Sequence, residues 1–152
     1  MYSRVSSRYY LLLSGAVIWI LLIIAAPYAS LENHLAGKYI YLFFSNICHQ
    51  KADRCFHYQG VPMAVCARCL GLYLGFILGL LGSVLMPGFK KILLAHSRLL
   101  IIFILPMLID LVLPNNHWSR LVTGIIAAFP VAFFVHQAVE QIHFRSPRRT
   151  IS

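Results

Sequence analysis

Four apolar stretches limit what this chain can fold into. They are residues 9–31, 69–89, 99–113 and 121–139, of which the first two contain no charged side chain. Of the 152 residues, 60% are hydrophobic and 11% are charged, and a water-soluble domain of this size cannot bury that much apolar surface. Runs of about 20 apolar residues match helices that cross a bilayer. The sequence therefore predicts one all-α integral membrane domain.

We predict four transmembrane helices, at residues 10–29, 67–87, 94–113 and 120–139. An uncleaved first helix is favoured over a secretory signal peptide, because its apolar run is long and Pro27 and Tyr28 lie where cleavage would fall. Residues 32–66 form a Cys-rich loop between the first two spans. The aromatic segment 38–48 is too short to span and predicts an interfacial helix before the first cysteine.

The basic residues predict an orientation. The net charge is +9, and the 13 lysines and arginines lie at the ends of apolar runs, where anionic lipid headgroups rather than nucleic acid are the expected partners. An even number of spans places both termini on one side. That side carries eight basic residues, Arg4, Arg8, Lys90, Lys91, Arg98, Arg145, Arg148 and Arg149, and the loop side carries five, Lys38, Lys51, Arg54, Arg68 and Arg120. We expect cytoplasmic termini and an outside Cys-rich loop.

Small residues recur every fourth position in the second apolar run. Gly71, Gly75 and Gly79 form the series, and Ser83 continues it. In lipid, such a face lets two helices approach backbone to backbone. It predicts a close helix contact, and one interpretation is a small accessory subunit whose glycine face binds a partner membrane protein.

All four cysteines lie in the stretch 48–75. Cys66-Ala-Arg-Cys69 stands at the start of the second predicted helix, where unpaired backbone N–H groups and Arg68 favour the thiolate form of both cysteines. Together with Cys48 and His49, this spacing is typical of a zinc knuckle. The interpretation we prefer is a zinc site of Cys48, Cys66 and Cys69, with either His49 or Cys55 as the fourth ligand.

Two other interpretations use the same cysteines. In a thiol–quinone oxidoreductase, the pairs Cys66/Cys69 and Cys48/Cys55 would pass electrons to a membrane quinone, and Arg68 would stabilise a thiolate or a quinone oxygen. Alternatively, two disulfides would stabilise the loop in an oxidising compartment.

Asp110 lies inside the third apolar run, where an unpaired carboxylate is costly. Arg120 opens the next span after a short turn, so an ion pair between them is one expectation and a supporting role in the site is the other. Asn115, Asn116 and His117 in that turn are expected to complete a polar outer pocket.

A combined pattern of residues resembles a bacterial family of membrane proteins, domain of unknown function family 2085, over residues 48–124. The residues that carry it are Cys48-His49-Gln50, Arg54, Cys66-x-Arg68-Cys69, Gly71, Tyr73, Gly75, Pro106, Asp110 and Arg120-x-x-Thr123-Gly124. The resemblance implies a small polytopic membrane protein and no known activity. Serine is more usual in the family at Cys55, which implies a shared set of three cysteines and His49 and favours a metal site. The turn also departs from the family's serine-threonine-asparagine.

Overall fold

The computed structural model describes residues 7–112 and 116–144, and this part of the chain is almost entirely helical. Its elements are α1 (Ser7–Glu32), α2 (His34–Ser45), a 3-10 turn (Ala52–Arg54), β1 (His57–Tyr58), β2 (Val61–Pro62), α3 (Ala67–Leu85), α4 (Pro87–Ala95), α5 (Leu99–Val112) and α6 (His117–Phe144). Arg4, Asn115, Arg145, Arg148 and Arg149 lie outside the described residues.

Three helices, α1, α3 and α6, are long and apolar enough to cross a membrane, and α4 with α5 adds a fourth if the two count as one broken span. The predicted fold class, an all-α membrane protein, is confirmed. The short helix expected before the first cysteine is α2, which covers 12 residues and begins after the N-cap Asn33.

The third predicted span, residues 94–113, is not one straight helix. α4 ends at Ala95, α5 begins at Leu99, and the two helices meet at 89°. The residues between them, His96, Ser97 and Arg98, are polar, and they break the apolar run. α5 alone has 14 residues and is too short to cross a membrane by itself, and α4 lies almost at a right angle to it.

The centre of the fold is the contact between α3 and α6. The predicted series of small residues on α3 faces the α6 backbone: Gly71, Gly75 and Gly79. A β-carbon added at Gly75 would lie 2.7 Å from the Ile125 Cα, and one added at Gly124 of α6 would lie 2.6 Å from the Arg68 carbonyl oxygen. Neither distance leaves room for a side chain, which explains why both helices use glycine here.

This contact corrects one prediction. The glycine face was expected to be available to a partner membrane protein, but α6 of the same chain occupies it. The backbone approach is so close that no second helix can share that face.

α1 lies against the other side of α3. The Tyr9 hydroxyl donates a hydrogen bond to the Leu80 carbonyl oxygen (3.1 Å) at one end. At the opposite end, Ile23 of α1, Phe44 of α2 and Val65 before α3 are fully or almost fully buried in one apolar cluster. That cluster lies directly under the Cys-rich loop and fixes its position on the helices.

A buried polar network lies at the far end of the α3–α6 contact. The Ser83 hydroxyl is 2.7 Å from His136 Nδ1, and both side chains are almost completely buried. His136 Nε2 is 3.3 Å from Glu140 Oε1, and Lys90 Nζ of α4 donates to Glu140 Oε2 (3.1 Å). The network therefore joins α3, α4 and α6 through charged and polar side chains.

Candidate metal centre

Three of the four cysteines come together at the loop end of the fold. The sulfur atoms of Cys48, Cys66 and Cys69 all lie within 4.8 Å of one another. Cys48 is buried, Cys66 and Cys69 are half-buried, and all three are free thiols. Within the described residues this is the group of His, Cys, Asp and Glu side chains placed closely enough to hold a metal ion.

Two of these cysteines are positioned by the start of α3. Cys66 is the N-cap residue, with extended backbone angles (φ −69°, ψ 159°), and its carbonyl oxygen accepts the hydrogen bond of the Leu70 N–H (3.0 Å). Cys69 follows one helical turn later, so its side chain lies on the same side as that of Cys66. This local geometry follows directly from the C-x-x-C spacing.

Cys48 is brought in from 18 residues earlier, and Gln50 holds the loop that carries it. Gln50 has a positive φ (47°), and its side-chain amide donates to the carbonyl oxygens of Tyr41 and Ala64, both at 2.8 Å. The Cys48 sulfur then accepts a hydrogen bond from the Cys66 backbone N–H (3.3 Å). The hydrogen bonds of Gln50 thus fix the approach of the third thiol.

The electrostatics at the helix start favour a thiolate. The Cys69 thiol donates a hydrogen bond to the Cys66 sulfur, and with the backbone N–H groups of Cys69 and Arg68 it lowers the pKa of Cys66 to about 5, against the opposing effect of burial. The thiolate predicted for both cysteines is thus favoured at Cys66 but not at Cys69, which keeps its proton in this arrangement.

Cys55 is set apart from the other three. Its side chain is fully buried, and its thiol donates to the Lys51 carbonyl oxygen at 3.2 Å. Burial, and the nearby sulfurs of Cys66 and Cys48, raise the pKa of Cys55 to about 12. Its sulfur lies outside the three-sulfur group.

A cleft of about 350 Å³ opens over the three sulfurs. His49, exposed to solvent, lies on its wall, as do the cationic side chains of Lys51, Arg54 and Arg68. Arg54 also lies 3.6 Å from the Asp53 carboxylate, with both side chains exposed. The cleft thus combines three thiols, one imidazole and three cations.

Asp110 has a different partner from the one predicted. Arg68 Nη2 donates to Asp110 Oδ2 (2.7 Å) and to its carbonyl oxygen (3.1 Å). Arg120, the predicted partner, acts on the carboxylate through its charge but makes no ion pair with it. Arg68 lies in the first turn of α3 and points toward the end of α5. Its guanidinium is therefore within hydrogen-bond distance of the carboxylate.

Ser119 is a further residue of this polar group that the sequence did not reveal. Its hydroxyl donates to the second carboxylate oxygen of Asp110, and its backbone N–H donates to Asn116 Oδ1 (2.8 Å). In the sequence, the one indication of this role is that a serine lies in the first turn of the last helix. Asp110 therefore joins α3, α5 and α6 directly beside the thiol group.

The turn residue His117 lies elsewhere. With Asn116 it lines a second, smaller cleft of about 280 Å³ that also contacts Cys55 and Trp118. Asn116 and His117 thus line a cleft, as predicted for a polar outer pocket, and this cleft is separate from the one over the three thiols.

Comparison with known proteins identifies the family. The family described as predicted membrane protein, DUF2085, matches residues 48–134, more than half of the chain. This chain belongs to that family. An uncharacterised protein of Methanocaldococcus jannaschii is 35% identical over 144 residues, covering 84% of this chain and 90% of the relative. An uncharacterised protein of Methanothermobacter thermautotrophicus is 37% identical over 67 residues, covering 44% and 59%. No solved structure matches.

The resemblance inferred from the sequence is confirmed, although these two relatives are archaeal. The matched range begins at Cys48 and includes Cys66, Cys69, Arg68 and Asp110. The whole candidate centre thus lies in the part of the chain that defines the family, whereas α1 and α2 lie before it.

Proposed function

We propose that the protein binds a zinc ion through Cys48, Cys66 and Cys69. The observation that carries this proposal is the approach of the three sulfurs to within 4.8 Å of one another. Tetrahedral zinc with Zn–S bonds of about 2.3 Å places its sulfur ligands about 3.8 Å apart. The three sulfurs are therefore within about 1 Å of the separations that a zinc ion requires.

The charge around the cleft supports a thiophilic cation. Three thiolates and one Zn²⁺ leave one negative charge, and Lys51 and Arg54 lie on the cleft wall to offset it, whereas Arg68 on the same wall is paired with Asp110. Thiolate ligands select zinc and other soft or borderline ions over Mg²⁺ or Ca²⁺, which require oxygen ligands.

We propose His49 rather than Cys55 as the fourth ligand. The ring nitrogens of His49, like the Cys55 sulfur, lie outside the three-sulfur group. His49 is nevertheless exposed on the wall of the same cleft, and neutral imidazole is a good zinc ligand. Cys55 is protonated at neutral pH and directs its thiol to the Lys51 carbonyl oxygen. A ligand role for Cys55 would require breaking this hydrogen bond and ionising a fully buried thiol.

We further propose that the site faces the outside of the cell and that both termini are cytoplasmic. The support is the distribution of lysine and arginine, eight on the side of the termini and five on the side of the loop.

A second candidate function is thiol–quinone oxidoreduction by Cys66 and Cys69. The closeness of these two thiols, whose sulfurs lie within 4.8 Å of each other, supports it. The two thiols would close a disulfide, and both electrons and both protons would pass to a quinone, giving a hydroquinone. A relay through a Cys48/Cys55 pair is not supported, because the Cys55 sulfur lies outside the group.

Elemental analysis of purified protein tests the proposal. We expect about one zinc per chain in the wild type and in Cys55→Ser, and loss of the metal in Cys48→Ser, Cys66→Ser and Cys69→Ser. Cys55→Ser is the matched control, because it removes a buried thiol of the same loop without touching the three sulfurs.

Cobalt substitution adds a spectroscopic test, since thiolate-to-cobalt charge-transfer absorption scales with the number of sulfur ligands. Three thiolates are expected in both the wild type and Cys55→Ser. A wild-type protein without metal that reduces quinone with a dithiol substrate would refute the zinc site and favour the second candidate.

A further inference from the structure

A large apolar cleft lies inside the membrane part of the fold, between α1, α3, α5 and α6. Its volume is about 700 Å³, and none of the described residues that line it is charged. Its walls include Trp19, Tyr73, Phe76 and Met107. Leu11 at its edge is 68% exposed, so the cleft opens sideways toward the lipid. Clefts of this size and lining are typical of sites for small apolar ligands.

The end of this cleft that is nearer to the Cys-rich loop lies one turn of α3 away from Cys69. Leu72, Tyr73 and Phe76 line the cleft and follow Cys69 at spacings of three, four and seven residues. Side chains at these spacings share one face of a helix. The face of α3 that carries a thiol of the candidate metal centre therefore continues directly into the cleft.

The same end carries the polar groups of the cleft lining. The Trp19 and Tyr73 rings have centroids 5.9 Å apart. Trp19 Nε1 is buried without a well-formed hydrogen bond, although the Tyr73 hydroxyl is its neighbour. Buried donors almost always have an acceptor, and the hydrocarbon region provides no water to act as one. An acceptor oxygen on a bound molecule would satisfy this indole.

We infer that the cleft binds an uncharged lipophile with a flat, carbonyl-bearing ring and a hydrocarbon tail, the chemistry of membrane quinones. The carbonyl accepts from Trp19 Nε1, the ring packs against the cleft side of the aromatic side chains of Trp19, Tyr73 and Phe76, and the tail follows the apolar walls. A phospholipid fits less well, because its charged headgroup finds no charged partner in this lining. The site does not depend on the zinc proposal, and it supplies the quinone site that the second candidate function requires.

Tryptophan fluorescence provides a direct test. The chain has two tryptophans, and Trp118 is exposed in another part of the fold, so Trp118→Phe leaves Trp19 as the only one. Titration of this variant in detergent with a decyl-tailed quinone should quench Trp19 saturably, at one quinone per chain. Quenching that rises linearly without saturation would show partitioning into the micelle alone and would overturn the inference.

A blocking variant and a matched control complete the test. No atom lies within 4 Å of a β-carbon added at Gly15, which lines the cleft, or at Gly88, which does not. Both glycines therefore accept a leucine without a clash at the β-carbon, but Gly15→Leu fills the cleft. In the Trp118→Phe background, we expect Gly15→Leu to weaken quinone binding at least tenfold and Gly88→Leu to leave it unchanged.

A competition experiment distinguishes a bound quinone from phospholipid in the cleft. Phospholipid with brominated chains quenches any tryptophan that it touches, and added quinone should displace it from Trp19. Bromolipid quenching that quinone does not relieve, or equal binding in the two leucine variants, would assign the cleft to bulk lipid and overturn the inference. These readouts are independent of metal content and of thiol oxidation, so failure of either candidate function is distinguishable from failure of this site.

Discussion

Replacing Gly75 by alanine tests the contact that organises the fold. The added β-carbon would lie 2.7 Å from the Ile125 Cα, whereas ordinary contacts begin at 3.4 Å. The Ile125 carbonyl oxygen would lie closer still, so the two helices must separate by more than 0.7 Å, the difference between these two distances. Because the neighbouring glycines share the same face, that separation loosens packing along the whole α3–α6 contact.

The expected cost follows from two opposing effects. Overpacking of a tightly packed contact costs roughly 1–3 kcal/mol, and replacing a helical glycine by alanine returns about 0.5–1 kcal/mol. We expect Gly75→Ala to lower the free energy of unfolding by about 1 kcal/mol, within a range of roughly 0–2.5 kcal/mol set by these two effects, and Gly75→Leu to lower it further and reduce the yield of folded protein.

Reversible unfolding in mixed micelles, by titration with sodium dodecyl sulfate and circular dichroism, measures this change. Gly15→Ala is the matched control, because it also lies inside a membrane helix but has no atom within 4 Å of the added carbon. It should be as stable as the wild type or slightly more stable. Equal stability of Gly75→Ala and Gly15→Ala would refute the close contact between α3 and α6.

Four further predictions concern the loop end of the fold. After outside reduction and metal chelation, a membrane-impermeant maleimide applied to intact cells should label the native cysteines, but should label Ser152→Cys only once the membrane is opened; the reverse pattern would invert the orientation. Asp110→Asn leaves Arg68 without its carboxylate and should cost on the order of 3 kcal/mol in the same unfolding assay, whereas wild-type stability would exclude the ion pair. In metal-free protein at pH 7, iodoacetamide should modify Cys66 rapidly and Cys55 hardly at all, as peptide mass spectrometry would show, because their pKa values are about 5 and about 12. Folding raises the pKa of Cys55 from 9.0 to about 12. The neutral Cys55 thiol therefore contributes fully to the free energy of unfolding below pH 9, and this contribution is lost as the pH rises toward 12. Cys55→Ser should remove that part of the pH dependence of stability.

The features that the sequence predicted well are local. A C-x-x-C motif at a helix start places Cys66 and Cys69 on one side, whatever the rest of the chain does. The four-residue glycine spacing likewise predicts a close helix contact. The glycine spacing does not specify which helix packs against this face of α3, because α6 begins more than 30 residues after the end of α3.

The features that the sequence missed depend on pairing across the fold. Arg120 was expected to pair with Asp110 because it is ten residues away, but Arg68, at a separation of 42, forms the ion pair. Separation along the chain is a poor guide once helices bring distant turns together. The role of Gln50 could not be predicted from the sequence either. Its two acceptors are backbone carbonyl oxygens, which every residue type has, so the residue types at those positions do not reveal the contacts.

The break between α4 and α5 has a consequence for the membrane itself. With 14 residues, α5 rises about 21 Å, against a hydrocarbon thickness of about 30 Å. This length is about 9 Å less than the hydrocarbon thickness, so α5, whose Asp110 end is bound to Arg68, does not cross the hydrocarbon region by itself. α4 meets it at 89°, and the largely buried Lys90 of α4 donates to the Glu140 carboxylate of α6. If α4 and α5 together form one span, hydrophobic mismatch of this size favours a thin bilayer around it, and each additional ångström of thickness should cost a fraction of a kcal/mol.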